Sequence, residues 1–182
     1  MAGLLAFSRA VDWVNAQFGR VADWMVLAAC AISAGVAFLR YGYHSPSNAW
    51  LEVQWYLFAG VVMLGAAYTL RRNEHVRVDI LYGWVAPRTR LWIDVFGIVF
   101  FLLPAMALLA WMTWPFFVES WIRNETSGNA GGLIRWPVKI LMPLGFTLMT
   151  LQGLSELVKR IAALAGTAPV SETVAEYVRP EQ

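Results

Sequence analysis

The chain reads as an all-α integral membrane protein with four transmembrane helices, and three observations carry that reading. Of its 182 residues, 59% are hydrophobic and only 14% charged, against about 25% charged in a soluble domain. Uncharged apolar stretches recur, the clearest at residues 53–70 and 95–114. A helix rises about 1.5 Å per residue, so ~20 residues cross the ~30 Å hydrocarbon core. There are ten Trp, an excess of the side chain that settles at the membrane–water interface. The net charge of +2 gives no reason to expect nucleic acid as a partner. The single cysteine, Cys30, allows no intrachain disulfide and reads as a small packing residue.

Residues 3–19 lack the unbroken apolar core of a signal peptide, because Arg9, Asp12, Asn15 and Gln17 interrupt it. Leu4, Phe7, Val11, Val14 and Phe18 recur at spacings of three and four, which predicts an N-terminal amphipathic helix with Arg9 and Asp12 off its apolar face. An ordinary leader into the first span is the alternative. That span, about 21–40, is rich in small residues from Ala28 to Ala37, which suits close helix packing on more than one side. A turn-rich connection follows, and the second span covers about 50–70. Gly60 and the Gly65-Ala66-Ala67 run, with Phe58 and Ala59, predict a packing stripe on it.

In the loop of residues 71–90, Asp79 could cap a short helix at 80–84, and Pro87 suits the first turn of the next helix. The third span covers about 92–115. Pro104 should kink it, and Trp111, Trp114, Phe116 and Phe117 should form an aromatic collar at its end. Residues 118–135 make a polar, glycine-rich loop. The fourth span covers about 137–158 and is closed by Lys159 and Arg160. The membrane domain is thus expected at 1–165, with a polar, disordered tail at 166–182.

Lys and Arg are distributed unevenly between the two sides. Arg9, Arg20, Arg71, Arg72, Arg77, Arg88, Arg90, Lys159, Arg160 and Arg179 fall on one side, and Arg40, Arg123, Arg135 and Lys139 on the other. The positive-inside rule then places both termini and the 71–90 loop in the cytoplasm and the glycine-rich loop outside.

Glu52 begins the second span. An acidic residue there can anchor structure, contact a partner or serve transport. Its place at a helix N-terminus favours anchoring, since the helix dipole stabilises a carboxylate there. His75 and Asp79 would share a helix face, but no second histidine is near, because His44 falls on the opposite side; an ion-pair cluster is a better reading than a metal site. No segment offers a nucleophile–base pair, a phosphate loop or metal-spaced ligands, so neither an enzyme nor a cofactor is expected. The middles of the spans look almost purely apolar, which argues for a helper subunit over a complete transporter.

Three blocks carry a resemblance. They are Glu52-Val53-Gln54-Trp55-Tyr56-Leu57-Phe58; Gly65 to Arg72 leading into His75-Val76-Arg77-Val78-Asp79; and Glu125-Thr126-Ser127 with Trp136-Pro137-Val138-Lys139, Pro143-Leu144-Gly145 and Leu151-Gln152. In this order, over about 50–156, they resemble the small DctQ-type membrane subunit of tripartite ATP-independent periplasmic (TRAP) transporters. The resemblance implies a multi-pass protein of the bacterial inner membrane. It would pack against a large membrane subunit that holds the substrate and sodium sites, with a periplasmic binding protein delivering an organic acid. The large subunit would move like an elevator against a static frame. Glu52, Trp55, Arg71, Arg72, His75, Arg77, Asp79, Glu125, Trp136 and Lys139 become the candidate structural or interface residues. The alternative is a self-sufficient four-helix transporter acting as a homo-oligomer, with Glu52 as its coupling carboxylate. A membrane anchor of a redox complex would lack ligands.

Overall fold

The structure is a computed structural model, and it describes residues 2–43, 47–75 and 85–167. Among these the helices are α1 (Ala2–Tyr43), α2 (Asn48–Arg72), α3 (Pro87–Gly97), α4 (Leu103–Ile122), α5 (Trp136–Lys139) and α6 (Leu141–Leu164). Four helical stretches are long and apolar enough to cross a membrane: Gly3–Gly42, Asn48–Arg72, Pro87–Ile122 and Trp136–Leu164. The four expected spans each fall inside one of them. The short helix expected at 80–84 and most of the expected tail lie outside the described residues.

α1 and α2 pack antiparallel, with Gly19 against the Tyr68 ring, Ala22 against Gly65 and Met25 against Gly60. Gly60 and Gly65 thus lie on the face of α2 that meets α1, where Gly60 leaves room for the Met25 side chain. Phe58 does not share that role and is 67% exposed. α6 is the central helix. A third of its membrane window is buried within the chain, against 6% for the windows of α1 and of the α3–α4 stretch. Leu64, Ala67 and Leu148 form the core, with Val14, Phe18, Met25 and Leu144 packed around them.

Two local features follow from single residues. Pro104 has no N–H to donate to the carbonyl four residues back, and its ring would collide there. The chain answers with a π-helical turn at Ile98–Leu102, in which the Leu103 N–H reaches back to the Ile98 carbonyl. α3 and α4 are therefore one interrupted span. Asn73 closes α2 in the left-handed region at φ 58°, its N–H bonded to the Leu70 carbonyl.

The N-terminal segment differs from expectation. It runs without a break into the first span as one helix of 42 residues. Its buried face is not centred on the predicted apolar stripe. Leu4 and Phe7 are exposed, while Ser8 and Asn15 are fully covered beside Val11. The cause is α6, which presents Gln152 and Ser155 to α1, so polar groups face inward where they find partners. The small residues of the first span pack on one side only, in the half nearer the N-terminus. Ala31, Ser33, Ala34, Gly35 and Ala37 are exposed.

Candidate functional site

The polar chemistry of the bundle gathers at its two ends. At one end, Glu52 is buried at 4% exposure. Its Oε1 accepts from Asn129 Nδ2 at 2.7 Å and from the Ser127 hydroxyl, and its Oε2 accepts from the Leu133 amide at 2.8 Å. All three donors come from the glycine-rich loop. The loop can supply them because it folds back on itself. The Ser127 amide bonds the Leu133 carbonyl at 2.9 Å, the Arg135 amide bonds the Glu125 carbonyl at 2.8 Å, and Thr126 pairs with Ile134. Gly131 takes φ +72°, and a Cβ on Gly132 would stand 2.7 Å from the Ser127 carbonyl oxygen, so the turn needs both glycines.

Beside it, Glu125 is held by Lys139 and, at 3.3 Å, by Arg135. The Lys139 ammonium bonded to it keeps the Glu125 carboxyl below the usual carboxylate range. Lys139 also lies 3.8 Å over the Phe116 ring. Trp121 meets Trp136 edge-on at 4.4 Å, and Phe117 and Trp114 continue the row of rings. The collar expected after the third span is thus joined to the start of the fourth.

At the opposite end, three acids and three bases tie α1, α2, α3 and α6 together. Asp12 Oδ1 accepts from Gln152 at 2.9 Å, Ser155 at 3.1 Å and Lys159 at 3.0 Å, and Arg71 stands 4.0 Å from the same carboxylate. Glu156 accepts from Gln152 at 3.0 Å and Lys159 at 2.8 Å, and pairs with Arg160 at 2.6 Å. Arg160 reaches on to Asp94 at 2.9 Å. Asn15 donates to Gln152 at 2.7 Å. Arg160 is 4% exposed, so its charge survives there only because two carboxylates meet it.

Of the sequence-predicted residues, Glu52 joins the loop that contains Glu125, and Lys139 and Trp136 brace the same corner. Trp55 stays 67% exposed on α2. Arg71 turns inward to Asp12, Arg72 makes an exposed pair with Glu74 at 3.2 Å, and His75 is exposed. The expected cluster is therefore divided, and its members Arg77 and Asp79, like His44, lie outside the described residues. The reading missed Asp12, Asn15, Asp94, Ser155, Glu156, Lys159 and Arg160 as site residues, and with them the polar face of the fourth span. The signal was present. Gln152, Ser155, Glu156, Lys159 and Arg160 recur at three and four residues, one helix face of polar groups inside a span. Among the described residues, no three His, Cys, Asp or Glu side chains converge on a metal-sized site.

The arrangement is one of mutual neutralisation. Both oxygens of Glu52 are taken by its own loop, and the buried charges at the other end are paired with one another. Each of these buried groups is engaged within the chain. Residues 29–163 match the family model for the DctQ component of tripartite ATP-independent periplasmic transporters. No curated protein and no solved structure matches the chain at comparable stringency. The matched segment includes the Glu52 corner, the glycine-rich loop and the Gln152–Arg160 face, and the chain belongs to this DctQ family of TRAP transporter components.

Proposed function

We propose that the chain is the static membrane subunit of a TRAP transporter, packed against a large membrane subunit that imports an organic acid with a sodium gradient. The observation that carries this reading is the state of the buried ionisable groups. Glu52, Glu156 and Arg160 are each bonded within the chain, so none is left to bind a substrate or to load and unload a coupling ion. A mobile transport element would need such a group at mid-bilayer. Membership of a tripartite transporter family supports this choice of partners, which would be the large subunit, a periplasmic substrate-binding protein and the surrounding lipid. Sodium would bind in the large subunit, not in this chain. The Arg71 end would face the cytoplasm and the Glu52 end the periplasm of a bacterial inner membrane, in accord with the excess of Lys and Arg.

The glycine-rich corner would then present Glu119 and Arg123, an exposed pair at 2.8 Å, to the binding protein. Charge reversal at these two positions tests that contact. Glu125 is unsuited to the same test, because it holds Lys139. The main test is a pull-down of the tagged chain from solubilised native membrane, followed by mass spectrometry. One-to-one recovery of a larger, many-helix protein is expected. Recovery of this chain alone, as a dimer, would sink the proposal and return the homo-oligomeric transporter as the better reading.

A further inference from the structure

A cleft of about 600 Å³ lies between α6 and the interrupted α3–α4 span, an ordinary size for a ligand site. Its polar lining residues are Asp94, Glu156 and Arg160, and the rest of its lining is apolar, Phe101, Met106 and Met149 included. The π-helical turn at Ile98–Leu102 forms part of one wall. The cleft is elongated. Asp94 to Ala105 along that wall is eleven residues, and Arg160 back to Met149 along α6 is also eleven, each about 17 Å at 1.5 Å per residue. Asp94 and Arg160 are bonded at 2.9 Å, so both walls start level and the polar groups mark one end only.

Arg160 carries five N–H donors. Its Nε donates to Asp94 at 2.9 Å, and its Nη1 donates to the Glu156 carboxylate at 2.6 Å and to the Glu156 carbonyl at 3.3 Å. The two N–H groups of Nη2 meet no acceptor among the described residues. The side chain is only 4% exposed, and covered donors left without acceptors are costly. The charge of the guanidinium is already met by two carboxylates. What the cleft lacks is an acceptor, not a counter-ion, in keeping with a chain that handles no coupling ion.

We propose that the cleft holds one phospholipid whose head has no net charge. Its phosphate or ester oxygens accept from Arg160 Nη2, and one acyl chain lies along Phe101, Met106 and Met149. Half of the ~30 Å hydrocarbon core, the reach of one acyl chain, is about 15 Å, which matches the length of the cleft. A helix of a partner protein fits less well, because its backbone carbonyls are taken up by its own hydrogen bonds except in the last turn. An anionic head would bring a further negative charge to Asp94 and Glu156.

The test uses the full chain extracted from native membrane in mild detergent, with any partners that stay on it. Phosphatidylethanolamine with a photoreactive diazirine in its acyl chain is added and illuminated, and adducts are mapped by peptide mass spectrometry. Adducts are expected on the segments that hold Met106 and Met149. Gly97→Leu and Ala105→Phe put side chains into the cleft. A Cβ on Gly97 meets nothing within 4 Å and Ala105 is exposed, so both variants should keep the fold, checked by thermal midpoint without added lipid. Each should lower labelling of those segments by about 5-fold or more, as overpacking of a filled site does. Arg160→Lys, which keeps the charge and gives up the Nη2 donors, should lower it likewise. Gly35→Leu on α1, where a Cβ also meets nothing within 4 Å, should leave it unchanged. Added phosphatidylethanolamine should raise the thermal midpoint of the unaltered chain and not that of the two cleft-filling variants. Equal labelling of the unaltered chain and the cleft-filling variants reports only the lipid that coats any membrane protein and overturns the proposal. Labelling by phosphatidylglycerol as strong as by phosphatidylethanolamine overturns the choice of head. Loss of a co-purified larger protein from the cleft-filling variants, with no lipid adduct on the unaltered chain, assigns the cleft to a partner helix and overturns the proposal as well.

Discussion

Replacing Gly145 with alanine places a methyl group where α2 already stands. The added Cβ would lie 2.7 Å from the Met63 carbonyl oxygen, 2.9 Å from Met63 Cβ and 3.1 Å from Met63 C. Ordinary contact begins near 3.4 Å, so α2 and α6 must part by about 0.7 Å along this seam. The obstacle is backbone, which cannot rotate aside as a side chain could. Overpacking of this kind costs about 1–3 kcal/mol. For a chain of this length that corresponds to a fall of about 2–12 °C in thermal midpoint. The assay is thermal unfolding of the purified chain in detergent, run beside Gly65→Ala and Gly35→Ala. At Gly65 the new Cβ would sit 3.6 Å from Ala22 Cβ, an ordinary contact, and at Gly35 nothing lies within 4 Å. The expected order of destabilisation is Gly145 first, with Gly65 and Gly35 near or above wild type because alanine is the better helix former. Equal midpoints for the three variants would refute the claim that close approach at Gly145 sets the α2–α6 distance.

The remaining expectations can be checked on the same preparation. Gln152→Leu removes the acceptor of Asn15 and a donor to Asp12 and Glu156; it should cost about 1–3 kcal/mol, and adding Asn15→Leu should recover part of the loss, since two apolar partners leave fewer orphaned groups. A denaturation series on the two singles and the double mutant decides this. Arg160→Leu removes the covered guanidinium that meets both Asp94 and Glu156, while Glu156 keeps Lys159 and Gln152; the expected loss is about 3 kcal/mol, visible as poor yield of folded protein. Glu52→Gln cannot accept from all three loop donors, so hydrogen exchange at the Leu133 amide should accelerate while exchange in α6 stays unchanged. Glu125 has its carboxyl lowered by Lys139, so their pairing is fully present above the unfolded value of 4.5 and is lost only as pH falls through the lower folded value. A carboxyl NMR titration of Glu125 with a midpoint above 4.5 would contradict the pairing.

What the sequence determined is the class and the order of the helices. Hydrocarbon demands ~20 apolar residues per crossing and helical hydrogen bonding throughout, so composition and run length alone mark the spans. Pro87 at the start of α3, a disturbance at Pro104 and the packing role of Gly60 and Gly65 were also legible, because each rests on geometry within a few residues. Only the tertiary structure decided which polar groups meet. Asp12 and Gln152 are 140 positions apart and Glu52 and Leu133 are 81 apart; their partners are set by how α1, α2 and α6 lie against one another. The same placement reversed two local readings. It turned Asp12 and Asn15, two of the residues that interrupt the N-terminal apolar pattern, toward α6, and it drew Arg71 away from its sequence neighbours to Asp12. In a membrane bundle the apolar pattern is used up in facing lipid, so it cannot also say which face is buried. That choice falls to small residues and to polar groups seeking one another, and both depend on neighbours distant in the chain.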